Sequence, residues 1–265
     1  MKLQDKVAVV TGGARGLGRA YALHLAGLGA HVVVNDVDLD AARQYNETLG
    51  ADSVAEEIAN LGVRSLAIEA DVTRQADVND MFTEIISTFG KVDILVNNAG
   101  GALNAPAEHS AASVAMEYYN YIMDINLTGS IHCCQAAAKG MSAQGSGKIV
   151  NVASQAGLWS GRTGDHVAYK VAKAGVIHYT RVLAAELGPH NVNVNCIAPG
   201  FILSSRALAG GRNTGELRDR LLAQIPLGRM GMPEDCAKVI EFLVTDLSDY
   251  VTGQCIPVCG GYVAF

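Results

Sequence analysis

Short apolar runs alternate along the chain with longer stretches in which apolar residues recur at helical spacing. Seven of the runs have the length and composition of strands. They centre on residues 7–10, 32–34, 66–68, 94–96, 149–152, 192–197 and 255–258. Strands that alternate with helices are typical of a parallel sheet with helices on both faces. The pattern therefore predicts an α/β fold built on a doubly wound sheet of seven mostly parallel strands.

Length and composition narrow the class of protein. The 265 residues fit a single domain, 1–265, without repeats or a linker, and 49% of them are hydrophobic. A formal net charge of -6 and scattered basic residues argue against a nucleic-acid partner. No apolar run approaches the ~18 residues of a membrane span, and the first strand leaves no room for a signal peptide. Six cysteines without a disulfide or metal-site spacing indicate reduced thiols, no metal and a cytoplasmic protein.

A glycine-rich turn, TGGARGLG at 11–18, joins the first strand to a helical pattern. Glycine lets a backbone approach a pyrophosphate closely, and a helix amino terminus offers unpaired N–H groups and a positive dipole end. We therefore expect a phosphate site here. Its candidate residues are Gly12, Arg15, Gly16, Leu17 and Gly18.

The second predicted strand ends in a carboxylate, Asp36, eighteen residues after Gly18. A carboxylate there accepts hydrogen bonds from an adenosine ribose and repels a 2′-phosphate. Arg15 instead favours NADP, because a guanidinium beside the ribose can bind a 2′-phosphate. An equally good interpretation is that Arg15 is a solvated loop residue. We weight Asp36 more heavily, so the sequence favours NAD over NADP.

Later strands are also followed by polar and small residues, at the sheet edge where ligands of such folds bind. The candidates for cofactor contact are Asp71, Val72, Asn98, Ala99, Gly100, Pro199, Gly200, Ile202 and Ser204. For Asp71, contact with an adenine amine and capping of the following helix are equally open. Glycines amid helix formers at about 201–225 predict a mobile lid over the substrate.

Three side chains between 154 and 173 can together move a proton at a carbonyl. Tyr169 and Lys173 are four residues apart in a segment with helical character, so both project from one face. A nearby ammonium favours the phenolate of a tyrosine, whose pKa is ordinarily about 10. Ser154 follows the fifth strand, where its hydroxyl can hydrogen-bond the same substrate oxygen. This arrangement predicts a general acid or base.

Other polar residues have more than one interpretation. Asn126 lies in a helical pattern over about 113–141, where its amide is either a buried hydrogen-bonding spacer or a group that holds a relay water. We interpret His166 as an exposed loop histidine rather than a residue of the site. The arginines of the lid region are interpreted as solvated: Arg206, Arg212, Arg218 and Arg220.

The helix predicted around and after Lys173 is apolar over most of its circumference until Gly188 and Pro189 end it. A helix that is apolar on two sides packs against something on each of them. The sheet covers one side and a second subunit can cover the other. The pattern therefore predicts a homo-oligomer, and we expect a tetramer.

Together these motifs resemble the short-chain dehydrogenase/reductase family over essentially the whole chain. The resemblance rests on the turn at 11–18, Asp36, Asp71, residues 97–100, Asn126, Ser154, Tyr169, Lys173, Pro199, Gly200 and the tail at 226–261. It implies a Rossmann-like fold and a catalytic tetrad of Asn126, Ser154, Tyr169 and Lys173. It also implies that Tyr169 exchanges a proton with the substrate oxygen while a hydride passes between substrate and nicotinamide.

In such a tetrad Ser154 orients the substrate oxygen, Lys173 binds the nicotinamide ribose, and Asn126 holds a water that links the lysine to solvent. The resemblance thus implies an NAD-dependent oxidoreductase acting on a secondary alcohol or ketone. Two alternatives remain: an NADPH-dependent 3-oxoacyl reductase, and a dinucleotide-sensing protein without catalysis.

Three features depart from the family pattern. The loop between Ser154 and Tyr169 is enlarged, and the segment after Asp36 is longer than in many relatives. Cys259 stands where an aspartate commonly precedes the final pair of glycines. None of these departures removes a member of the tetrad.

Overall fold

The computed structural model describes residues 1–103, 109–161, 164–211 and 213–263. The strands are β1 Val7–Thr11, β2 His31–Asp36, β3 Ser65–Glu69, β4 Ile94–Asn97, β5 Gly147–Val152, β6 Val192–Pro199 and β7 Cys255–Val258. They form one parallel sheet in the order β3-β2-β1-β4-β5-β6-β7. This confirms the predicted seven strands. The order reverses between β1 and β4, where folds of this type bind ligands.

Helices cover both faces of the sheet. In the described ranges they are α1 Gly16–Gly27, α2 Ala41–Gln44, α3 Val54–Ala59, α4 Gln75–Phe89, α5 Met116–Met123, α6 Gly129–Gln144, α7 Gln155–Leu158, α8 Val167–Leu187, α9 Ser205–Ala209, α10 Gly215–Leu222 and α11 Pro233–Val244. A π-helical turn, Asp124–Thr128, joins α5 to α6. None of these helices is long and apolar enough to cross a membrane.

The core lies in two layers because alternate residues of each strand face opposite sides of the sheet. Ala8 and Val10 of β1 pack with α1 and α11, whereas Val7 and Val9 pack with α4, α6 and α8. All five residues of β1 are therefore buried. A strand that is buried on both faces has no polar alternation, which explains its continuous apolar run.

Short helices form in the long segment after β2 and in the region predicted to be a lid. The long segment after β2 carries α2 before α3 begins, and the lid region at 201–225 carries α9 and α10. One of the lid arginines, Arg212, lies outside the described residues.

Candidate active site

A cleft of about 880 Å³ lies at the carboxyl ends of strands β1 to β6. Every residue predicted for the site except Asn126 lines it. The lining residues from that prediction are Gly12, Arg15, Gly16, Leu17, Gly18, Asp36, Asp71, Val72, Asn98, Ala99, Gly100, Ser154, Tyr169, Lys173, Pro199, Gly200, Ile202 and Ser204. The topology therefore brings together residues that are up to 192 positions apart, from 12 to 204.

The glycine turn is compact and hydrogen-bonded to the residue that follows β4. Gly12 has a φ of +61°, and a Cβ added at Gly18 would lie 2.0 Å from the Gly12 carbonyl oxygen. Asn98 Nδ2 donates to the carbonyl oxygens of Thr11 at 3.0 Å and Gly12 at 2.9 Å. The side chain of Asn98 thus shapes the turn. The glycines of the turn that line the cleft carry no side chain, so a pyrophosphate could approach their backbone closely.

Asp36 ends β2 beside this turn. Its Oδ2 accepts a hydrogen bond from the Ala14 N–H at 3.2 Å, and its Oδ1 accepts one from the Val37 N–H at 2.9 Å. Burial raises the pKa of Asp36, and these backbone donors with the nearby Arg15 offset only part of the rise. The carboxyl group faces the cleft where an adenosine ribose would meet the end of β2.

Asp71 organises the loop after β3 rather than capping α4. Its Oδ1 accepts from the backbone N–H of Thr73 at 2.9 Å and from its hydroxyl at 2.8 Å, while Arg74 precedes the first residue of α4. Burial raises the pKa of Asp71, but hydrogen bonds from Thr73 and Arg74 outweigh it and lower the pKa overall. The capping interpretation is wrong, and the carboxylate lines the cleft.

Ser154 caps the short helix α7. Its Oγ accepts a hydrogen bond from the Ala156 N–H at 3.1 Å. One turn later, a Cβ at Gly157 would lie 2.6 Å from the carbonyl carbon of Lys173. Only glycine permits α7 to lie this close to α8. Ser154, which follows β5, and Tyr169, in the first turn of α8, both line the cleft.

Lys173 is 3% exposed and donates from Nζ to the Val152 carbonyl oxygen at 2.8 Å. Nζ lies 5.8 Å from the centre of the Tyr169 ring. Burial lowers the pKa of Lys173 to about 8, and the positive charge of Arg206 adds to the effect. The lysine therefore still carries its charge at neutral pH. An ammonium at this distance favours the phenolate form of the tyrosine.

Asn126 lies behind the cleft, in the π-helical turn. Its Oδ1 accepts from the Gly101 N–H at 2.8 Å, and its Nδ2 donates to the carbonyl oxygens of Gly101 and Ile122, each at 3.0 Å. A Cβ at Gly100 would lie 2.5 Å from Oδ1 of Asn126 and 3.6 Å from Nζ of Lys173. The amide thus holds the loop after β4 close to the lysine, as the spacer interpretation requires.

Comparison with known proteins identifies the family. A family model described as enoyl-(acyl carrier protein) reductase matches residues 12–263. Cyclohexanol dehydrogenase of Rhodococcus sp. (strain TK6) is 47% identical over 264 residues, which cover 98% of this chain and 97% of the relative. The chain belongs to the short-chain dehydrogenase/reductase family.

Two further relatives are also a reductase and a dehydrogenase by name. A 3-oxoacyl-[acyl-carrier-protein] reductase of Aquifex aeolicus (strain VF5) is 38% identical, over 98% of both chains. The solved structure of a 7α-hydroxysteroid dehydrogenase, complexed with NADH and 7-oxo glycochenodeoxycholic acid, superposes with a TM-score of 0.86 at 33% identity. It covers 98% of this chain and 95% of the other. The protein is a short-chain oxidoreductase that acts on alcohols.

The prediction that His166 is exposed is wrong. In this short-chain dehydrogenase His166 is half-buried and lines the cleft, with its ring centre 4.6 Å from that of His109. Its backbone has a φ of +50° at the residue before α8. Burial and the neighbouring His109 lower the pKa of His166, so its ring is neutral at neutral pH.

Arg206 is also not a solvated residue. It lies on α9, and its guanidinium packs on Gly101, where an added Cβ would lie 2.5 Å from Nη1. The lid region thereby places a positive charge in the cleft near Lys173. Arg218 and Arg220 of α10 are exposed, as predicted.

Several lining residues gave no signal in the sequence, among them Tyr121, Gln155 and Phe201. Phe201 packs edge-on against Tyr262 at 5.0 Å between ring centres, and Tyr262 packs in turn against Trp159 of the enlarged loop at 5.6 Å. The tail therefore supports the pocket wall next to that loop. Residues 162 and 163 of the loop lie outside the described chain.

Proposed function

We propose that this protein is an NAD-dependent oxidoreductase that transfers a hydride between nicotinamide and a secondary alcohol or ketone, with Tyr169 as general acid and base. One observation carries the assignment of the base. The buried ammonium of Lys173, fixed to the end of β5 by the Val152 carbonyl, lies 5.8 Å from the centre of the Tyr169 ring.

The chain's own groups divide the remaining work. When bound, nicotinamide accepts or supplies the hydride. Tyr169 takes the hydroxyl proton during oxidation and returns a proton during reduction. The oxygen of Ser154 accepts the Ala156 N–H, so its own proton is available for donation to the substrate oxygen. Lys173 stabilises the phenolate and binds the nicotinamide ribose, and the Asn126 amide holds the loop after β4 close to the lysine.

Asp36 supports NAD as the cofactor. Its carboxyl group lies in the cleft at the end of β2, where a 2′-phosphate would be repelled. The related 7α-hydroxysteroid dehydrogenase was solved with NADH. We take Asp71, Val72 and the loop after β4 as contacts for the rest of the dinucleotide.

The relative at 47% identity supports a cyclic secondary alcohol as substrate, because its name is cyclohexanol dehydrogenase. A second candidate is an NADPH-dependent 3-oxoacyl reductase, supported by the Aquifex aeolicus relative and by Arg15 in the cleft. A sensing protein without catalysis has less support, because the serine, tyrosine and lysine are all present and line one cleft.

The test follows the absorbance of NADH and NADPH while the protein reacts with cyclic, aryl, steroid and acyl-thioester alcohols or ketones. Tyr169→Phe should lower kcat by about 10²- to 10⁴-fold and leave NAD binding measurable, because only the proton donor is lost. Tyr179→Phe, which changes a tyrosine of the same helix packed in the core, is the matched control. Full activity of Tyr169→Phe would contradict the assignment.

We further propose that the protein is a cytoplasmic homo-oligomer, a tetramer. Val171 and Val182 support this, because they lie eleven positions apart on one side of α8 and are 42% and 54% exposed. Sedimentation velocity should show a tetramer that Val182→Glu dissociates. A monomeric wild-type protein would contradict the proposal.

A further inference from the structure

The long segment after Asp36, residues 37–53, is tied to helix α1. Arg19 of α1 donates from Nε to Glu57 at 2.8 Å and from Nη2 to Glu57 at 2.6 Å. The same Nη2 donates to the Thr48 carbonyl oxygen at 3.1 Å. These bonds hold the end of the segment and the start of α3 against the helix that follows the glycine turn. A bidentate arginine contact of this kind fixes geometry as well as adding energy.

This segment places an aromatic ring under the arginine of the glycine turn. Cζ of Arg15 lies 4.1 Å from the centre of the Tyr45 ring, which is a cation–π contact. Arg15 and Asp36 both line the cleft, yet among the described residues no ion pair joins them. The guanidinium thus contacts the ring of Tyr45 and, although close enough to Asp36 to affect its pKa, forms no ion pair with that carboxylate in the part of the chain that the structure describes.

A second side chain of the segment, Glu47, also ties it to α1. Glu47 Oε1 accepts from the Gly16 N–H at the start of α1 at 2.8 Å, and its Oε2 lies 3.4 Å from Nη1 of Arg19. A 2′-phosphate would meet the carboxylate of Asp36, which lines the cleft. The guanidinium of Arg15, which could neutralise the phosphate, contacts the ring of Tyr45.

We propose that Tyr45 is a specificity-determining residue for the dinucleotide: by stacking on Arg15 it withholds the guanidinium from a 2′-phosphate and so favours NAD over NADP. The inference rests on the proposed function, because it takes the cleft to bind a nicotinamide dinucleotide. It assigns the long segment a part in cofactor selection. Arg15, the residue that favoured NADP in the sequence, then has no influence on the preference for NAD or NADP.

The test measures the dissociation constants of NADH and NADPH by fluorescence titration, separately from turnover. Tyr45→Leu keeps the apolar bulk and removes the π face, so NADPH should bind about three- to fivefold more tightly, with NADH changed less than twofold. Tyr45→Phe keeps the ring and should leave the ratio of the two constants unchanged. In the double variant Arg15→Gln with Tyr45→Leu, the gain for NADPH should disappear.

An unchanged ratio in Tyr45→Leu would overturn the inference, as would a gain that persists in the double variant. A wild-type protein that already prefers NADPH would overturn it too, while leaving hydride transfer intact. Binding of neither dinucleotide would overturn the inference together with the proposed function. Thermal melting of each variant establishes that the compared proteins are folded.

Discussion

Lys173 and Val152 are joined by a hydrogen bond of 2.8 Å from Nζ to the carbonyl oxygen at the end of β5. The bond fixes the ammonium to the sheet. The same position buries the charge almost completely and lowers its pKa to about 8 from an ordinary value of 10.5. Burial of this charge therefore lowers the free energy of unfolding.

This cost predicts how stability depends on pH. Between the lowered pKa of about 8 and the unfolded value of 10.5, the unfolded chain binds more protons at Lys173 than the folded one. The free energy of unfolding therefore rises with pH across this window. Relative to Lys173→Met, the wild type should gain up to about 3 kcal/mol between about pH 7 and pH 10.5. Urea unfolding of both proteins at several pH values measures the difference, and parallel curves would contradict the prediction.

The amide of Asn126 predicts a loss of stability of a different kind. Asn126→Ala leaves the N–H and carbonyl groups of Gly101 without their partner in a buried place. We expect the free energy of unfolding to fall by about 1 to 3 kcal/mol. Thr128→Ala changes a residue of the same π-helical turn with one weak surface contact, so it should change stability by less than about 0.5 kcal/mol. Equal losses in the two variants, measured by urea unfolding, would show that the amide does not support the loop.

The fold was largely predictable because its determinants are local. Each strand is a short apolar run, and in β1 every residue is buried, so composition and length alone identify it. The pair Tyr169 and Lys173 was likewise predictable, because a spacing of four places both on one helix face. The glycine turn followed from its position between a strand and a helix.

What remained hidden depends on contacts between distant parts of the chain. Arg206 reaches Gly101 across more than a hundred positions, and no local pattern marks a lid arginine that turns inward. The contacts of His166 with His109 and of Arg15 with Tyr45 also join distant parts of the chain. The π-helical turn at Asn126 coincides with hydrogen bonds to the loop after β4, which the helical pattern over 113–141 could not reveal.

Arg206 should influence the titration of Lys173. Burial and then the positive charge of Arg206 lower the pKa of the lysine, so removal of that charge should raise it. In Arg206→Gln the free energy of unfolding should therefore begin to rise at a higher pH than in the wild type. Arg206→Lys keeps the charge and should follow the wild-type curve more closely. If Arg206→Gln and the wild type gain stability over the same pH range, the two charges do not interact appreciably.

Two glycines of helix α1 differ in the space that a Cβ would have, and this predicts opposite effects of substitution by alanine. A Cβ at Gly18 would lie 2.0 Å from the Gly12 carbonyl oxygen and 2.6 Å from Nδ2 of Asn98, whereas a Cβ at Gly27 would meet nothing within 4 Å. Gly18→Ala must therefore displace the turn, and we expect a loss of about 3 kcal/mol in the free energy of unfolding with weakened dinucleotide binding. Gly27→Ala, in the exposed last turn of the same helix, should gain about 0.5 to 1 kcal/mol, because alanine restricts the unfolded chain. Urea unfolding and NADH titration of the two variants measure both effects. A Gly18→Ala protein as stable as Gly27→Ala, with unchanged NADH affinity, would mean that the close approach of the turn to α1 is not required for the site.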